Sequence, residues 1–174
     1  MNSNLSNVRK LTITSLLVAV AVVGSTISFP VGPSKMAPVQ HMVNVLCVVI
    51  LGSYYSVGAA FSASVLRLLL GLGSVLAFPG SLWGAFLSSY LYKKTQKIHY
   101  ALLGEVFGTG ILGGLTAYPI SILVLGQTAG KAAFYVYVIP FLISTIGGSL
   151  LAGMLLYTLR TSGALAQIKH SLNQ

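Results

Sequence analysis

YLYKKTQKIHY, residues 90–100, carries the densest positive charge of the chain: Lys93, Lys94 and Lys97 within five positions. Long apolar runs flank it on both sides. The number of runs before it fixes the side of a membrane on which these lysines lie, and so the topology. That the solvent is lipid follows from composition. Of 174 residues, 55% are hydrophobic and only 6% charged, where a water-soluble domain carries about a quarter charged residues. Mean hydropathy is +0.88. Ten basic residues face one acid, Glu105, for a net charge of +9. Nucleic acid does not explain that balance, because no basic stripe with interleaved aromatics lies on a polar face.

Working outward, the apolar runs cover roughly 11–30, 40–53, 54–72, 79–92, 99–125 and 132–159. About 20 helical residues cross a bilayer, so the second and fourth runs are short and need flanking residues or local thinning. Four runs precede the lysine cluster. With the N-terminus inside, Arg9, Lys10, Lys93, Lys94, Lys97, Arg160 and Lys169 are all cytoplasmic. Only Lys35 and Lys131 fall outside, with Arg67 inside span three. Cytoplasmic loops retain positive charge; fusing runs two and three would push the cluster out. Tyr54, Tyr55, Tyr90, Tyr92, Tyr100 and Tyr157 collect at the same inner boundary, as an interfacial belt does. The expectation is an all-α integral membrane bundle: one domain over 1–174, six transmembrane helices, both termini cytoplasmic, in the plasma membrane.

Arg9 and Lys10 before LTITSLLVAVAVV resemble a signal peptide, but Ile27 and Phe29 extend the apolar run into a full span. The ends MNSNLSN and the stretch after Arg160 read as polar tails, although the latter could continue helix six. Cys47 is alone, which excludes an internal disulfide and points to packing. In LLGEVFGTGILGG, residues 102–114, Gly104 and Gly108, then Gly110 and Gly114, repeat at four-residue spacing. Such spacing lets membrane helices approach closely. Pro119 and Pro140 are expected to kink their helices. Helix one holds two similar pairs, Ser15 with Ala19 and Ala21 with Ser25, which fit internal packing and a partner helix equally well.

On this topology the outer loops are 30–40, 72–79 and 126–131, and scarce polar groups gather beneath them. KMAPVQHMVNV, residues 35–45, brings Lys35, Gln40, His41 and Asn44 to the outer end of helix two; Gln40 and Asn44, four apart, share a face. Arg67 lies about three turns from the inner start of helix three. Phe78, Ser81 and Trp83 open helix four; Tyr118, Tyr135 and Tyr137 join from helices five and six. Apolar walls with a few oriented polar groups are what a small-molecule site requires. Lys35 and His41 fit a headgroup layer as well as a site. Asn44 and Arg67 are costlier inside a span. Glu105, nearer the inner end, either pairs with Arg67 across staggered helices or serves binding or gating.

Enzyme chemistry finds no footing. There is no second acid for a two-carboxylate mechanism and no Cys/His set at metal-ligand spacing. GQTAGKA, residues 126–132, comes near a phosphate loop but is one residue short and has Ala132 where Ser or Thr should bind magnesium. No catalytic residue, cofactor or metal is expected.

KMAPVQHMVNV, RLLLGLG from Arg67, LAFPGSLWGAF (76–86) and LLGEVFGTGILGG together resemble the ThiW family, substrate-binding S components of energy-coupling factor (ECF) transporters, from about residue 11 to 160. The resemblance implies a six-helix protein that captures 4-methyl-5-(2-hydroxyethyl)thiazole, a thiamine precursor, from outside. It also implies partners: a transmembrane coupling subunit and two cytoplasmic ATPases. The site then comprises Lys35, Gln40, His41, Asn44, Arg67, Phe78, Ser81, Trp83, Glu105, Tyr118 and Tyr135, with the thiazole stacked on Trp83, Phe78 or a tyrosine. The Ser15, Ala19 face resembles the surface by which S components meet their coupling subunit, with Val23 at the next step. The alternatives are an S component for thiamine or its pyrimidine precursor, a small proton-coupled secondary carrier, or a membrane assembly protein without ligand.

Overall fold

The computed structural model describes residues 2–31, 34–126 and 134–174, with side chains for 5–30, 36–126 and 134–174. In chain order it has α1 (Asn2–Gly24), β1 (Phe29–Val31), β2 (Ser34–Met36), α2 (Pro38–Leu51), α3 (Ser53–Leu69) and α4 (Ala77–Thr95). A continuous helix α5 (Ile98–Leu125) follows, then α6 (Val138–Thr161) and α7 (Ala164–Asn173). The middle of α5, Val106–Gly113, is wound as a π-helix.

Local chemistry sets most boundaries. Pro38 lies in the first turn of α2, where a missing N–H costs nothing. Gly52 alone separates α2 from α3; its φ of +90° lies outside the comfortable range of an L side chain, so the chain reverses within one residue. Runs two and three are therefore two helices. Pro140 likewise sits in the first turn of α6, which corrects the expectation of a kink there. Pro119 lies inside α5.

Other departures have physical causes. The first helix stops at Gly24, short of the expected 30, where the hydroxyls of Ser25 and Thr26 bond back to the Val22 and Val23 carbonyls and compete with helical bonding. The expected loop 30–40 contains an antiparallel hairpin, Phe29 opposite Met36 and Pro30 opposite Lys35. The C-terminal stretch is neither a polar tail nor a continuation of α6. Gly163, at φ +76°, breaks the helix, and α7 buries Leu165 and Leu172 while Ser6 and Arg9 of α1 donate to its Leu172 and Ser171 carbonyls. Past Gly126, the rest of the expected loop 126–131, with Lys131 and the remainder of GQTAGKA, falls outside the described residues.

The helices alternate in direction. Ser56 near the start of α3 bonds Ser89 near the end of α4 at 2.8 Å, while the start of α2 meets the end of α3 at a shared cavity. The central helix is α2, with ten of its fourteen residues buried. Polarity is inverted relative to a soluble fold: Leu123, Leu69, Met154 and Val23 face outward, while Ser56, Ser81, Ser88, Ser144 and Thr145 are buried. An outward surface so rich in large apolar side chains is suited to lipid. Three helical segments are long and apolar enough to cross a membrane, Leu5–Gly24, Ile98–Leu125 and Val138–Thr161. At fourteen residues α2 is apolar but short.

Candidate functional site

The chain's one acidic side chain lies in its interior. Glu105 of α5 is fully buried, and its Oε1 accepts three hydrogen bonds. His41 Nδ1 donates at 3.0 Å, Asn44 Nδ2 at 3.2 Å and Thr109 Oγ1 at 2.9 Å. The spacing explains the convergence: Asn44 follows His41 by three residues on α2, and Thr109 follows Glu105 by four on α5, so each pair shares a helix face. Thr109 has one proton to divide between Glu105 and the Gly80 carbonyl, 3.0 Å away. A carboxylate in hydrocarbon costs several kcal/mol unless paired; this one has an imidazole, an amide and a hydroxyl. Gly84 of α4 makes the space. A Cβ there would collide with Thr109 Oγ1 and come within 2.6 Å of Glu105 Oε2.

The His41 ring and Thr109 also line a small cavity, with Gln40, Arg67, Phe141 and Ser144. Ser144 Oγ accepts from the Ala37 N–H at 2.9 Å, tying the end of the hairpin to α6. Gln40 Nε2 donates to Ser81 Oγ at 3.0 Å. Arg67 stands in the last turn of α3, where helix carbonyls favour a cation, and is 5% exposed. Two buried polar atoms here have no hydrogen-bond partner among the described residues, Arg67 Nε and Glu105 Oε2. The cavity volume is about 30 Å³, the share of a single water.

Gln40, His41, Asn44, Ser81 and Glu105 are thus brought into contact, with Arg67 on the same cavity. The expected alternative of an Arg67–Glu105 pair is not what forms: among the described residues the titratable side chain bonded to Glu105 is His41. Several aromatics lie apart. On α4 the buried residues are Gly80, Ser81, Gly84, Ala85, Ser88 and Ser89; Trp83, two residues from Ser81, is turned to the outside and 42% exposed. Phe78 packs edge-on against Phe61 at 5.4 Å, and Tyr135 is exposed beside Phe134. Tyr118 packs with Leu76, Ala117, Tyr137 and Phe141, next to the cavity but off its lining. Lys35 pairs through its backbone with Pro30; its side chain is outside the described residues. Ser15 and Ala19 line a separate apolar groove of about 700 Å³ between α1 and α3.

The sequence reading missed Thr109, Phe141, Ser144 and Thr145, whose hydroxyl donates to the Glu105 carbonyl at 3.3 Å. Thr109 carried a signal, four residues after the only acid. Ser144 and Thr145 carried none, since a lone hydroxyl in a helix can bond its own backbone at little cost.

The arrangement gathers hydrogen-bond donors, acceptors and the Phe141 ring around one small cavity. Among the described residues no three His, Cys, Asp or Glu side chains stand together as a metal site would need. Residues 11–162 match the family model ThiW, thiamine-precursor transporter protein. No curated protein and no solved structure matches the chain.

Proposed function

The chain belongs to the ThiW family of thiamine-precursor transporters, and on that premise we propose that it is the substrate-capture component of an energy-coupling factor importer. The ligand is hydroxyethylthiazole, taken in the cavity bounded by Gln40, His41, Arg67 and Ser144. The observation that carries this reading is the burial of scarce polar groups around one cavity, among them Arg67, whose Nε has no hydrogen-bond partner among the described residues. Arg67 and Gln40 offer N–H donors to the ring nitrogen, Ser144 and Thr109 meet the alcohol, and Phe141 gives the ring a face to stack on.

A cavity of about 30 Å³ is far below the roughly 300–1,000 Å³ of small-molecule pockets. Capture therefore requires its walls to part. The segment best placed to move is the β1–β2 hairpin, which leads into Ala37 and is held to α6 through Ser144. In the proposed cycle all six helices α1–α6 cross the plasma membrane with both ends cytoplasmic. The groove at Ser15 and Ala19 faces the coupling subunit, and two ATPases supply the energy.

Purified protein screened for thermal stabilisation tests this, because a ligand of the native state raises the melting temperature. Hydroxyethylthiazole should stabilise more than thiamine or its pyrimidine precursor; stabilisation by those two alone would change the ligand. A second reading draws on the His41–Glu105 pair, which would serve a secondary carrier as its proton site. Uptake by the purified chain alone in liposomes under a proton gradient would favour that carrier.

A further inference from the structure

At the opposite end of the bundle from the polar cavity lies a hollow of about 830 Å³. Lys10 of α1, Lys93 of α4 and Lys169 of α7 line it, with Tyr54, Tyr55 and Tyr92 among them. Lys169 Nζ donates to the Tyr92 hydroxyl at 2.8 Å, which leaves the phenol proton available to an acceptor in the hollow.

These cations have no carboxylate side chain to pair with. The sequence holds one acid in total, and Glu105 is fully buried against His41. Ammonium groups gathered around one hollow repel each other and attract an anion. The lining is also partly apolar: Val49, Val57 and Phe86 contribute to it, and Phe86 is half exposed on the outer flank of the bundle. A charged rim above an apolar wall that opens onto the lipid-facing side fits an amphiphile better than a free ion.

We propose that this hollow seats one anionic phospholipid, its phosphate among Lys10, Lys93, Lys169 and the Tyr92 hydroxyl and its acyl chain along Val57 and Phe86. Bound there, the lipid ties α1 and α4 to the C-terminal helix α7. The proposal is independent of which ligand the polar cavity takes. Lys94 supplies the control, since it is exposed beside Lys93 but lines no part of the hollow.

The test is thermal unfolding of the purified full chain in neutral detergent, with added phosphatidylglycerol, phosphatidylcholine or inorganic phosphate. Phosphatidylglycerol should raise the midpoint by several degrees and the other two should not. The triple variant Lys10→Gln, Lys93→Gln, Lys169→Gln should lose the increment, and Lys94→Gln should keep it. Native mass spectrometry gives a reading that needs no unfolding: one retained phosphatidylglycerol on the wild-type chain, lost in the single variant Lys93→Gln. Equal stabilisation by phosphatidylcholine, full reproduction by inorganic phosphate, or an undiminished increment in the triple variant would overturn the proposal.

Discussion

Glu105 concentrates the chemistry of this protein, and its surroundings say what its loss should do. Three donors meet on one oxygen, so Glu105→Ala strands a ring N–H and an amide in the interior, while the Thr109 hydroxyl keeps the Gly80 carbonyl. Each orphaned group costs about 1–3 kcal/mol, and the variant should melt well below the wild type in detergent. Glu105→Gln keeps an acceptor oxygen and should lose less; equal melting temperatures for the two would remove the network from the stability account. Arg67 is the converse case. Its Nε is buried without a partner among the described residues, which is a cost to the fold unless the atom is used elsewhere. Arg67→Met should therefore preserve the melting temperature while weakening hydroxyethylthiazole binding at least tenfold, about 1.4 kcal/mol. The polar members of α2 were legible because Gln40, His41 and Asn44 are conspicuous in an apolar run. Glu105's partner was not, since the stagger of α5 against α2 is a tertiary fact. Trp83 was misplaced because nearness to the membrane's outer level says nothing about which way a helix is rotated.

At the scale of elements, the glycines of α5 explain how helices carrying such short side chains pack so closely. Gly104 and Gly108 lie against α4, where an added Cβ would come within 2.6 Å of Ser88 Cα and 2.5 Å of the Trp83 carbonyl. Gly110 and Gly114 lie against α6, at Leu142 and Val138. The four-residue spacing was readable as close packing; that its two halves serve different neighbours was not. Nor was the π-helical turn of Val106–Gly113, which leaves no mark on hydrophobic period and adjoins the Glu105 cluster, as such turns often adjoin functional sites. Backbone cannot yield as a side-chain tip can. Gly108→Ala should thus cost about 1–3 kcal/mol and lower the melting temperature. Gly58→Ala in α3 meets nothing within 4 Å and should be neutral or stabilising by up to about 1 kcal/mol. Similar effects of both substitutions would mean that α4 and α5 are not in contact at Gly108.

For the whole molecule, the lysine cluster at 93–97 and the alternation of helices place Ser74 and Lys97 at opposite ends of α4. On the proposed topology, and with buried Cys47 replaced by Ser, Ser74→Cys should react with an impermeant maleimide in intact cells. Lys97→Cys should react only after permeabilisation. The reverse pattern would invert the protein in the membrane, and labelling of both from one side would break the six-crossing count. Run counting could anticipate the helices α1–α6 because lipid forces apolar segments to be long. It could not anticipate the hairpin or α7, short elements held by contacts rather than by composition.

The account as a whole rests on a ligand entering the polar cavity, and calorimetry with hydroxyethylthiazole tests that most directly. Wild-type protein should bind it saturably, and His41→Ala and Asn44→Ala should each bind at least tenfold more weakly, a loss of about 1.4 kcal/mol, while still inserting into the membrane. No saturable binding by the wild type, or wild-type affinity in both variants, would contradict it.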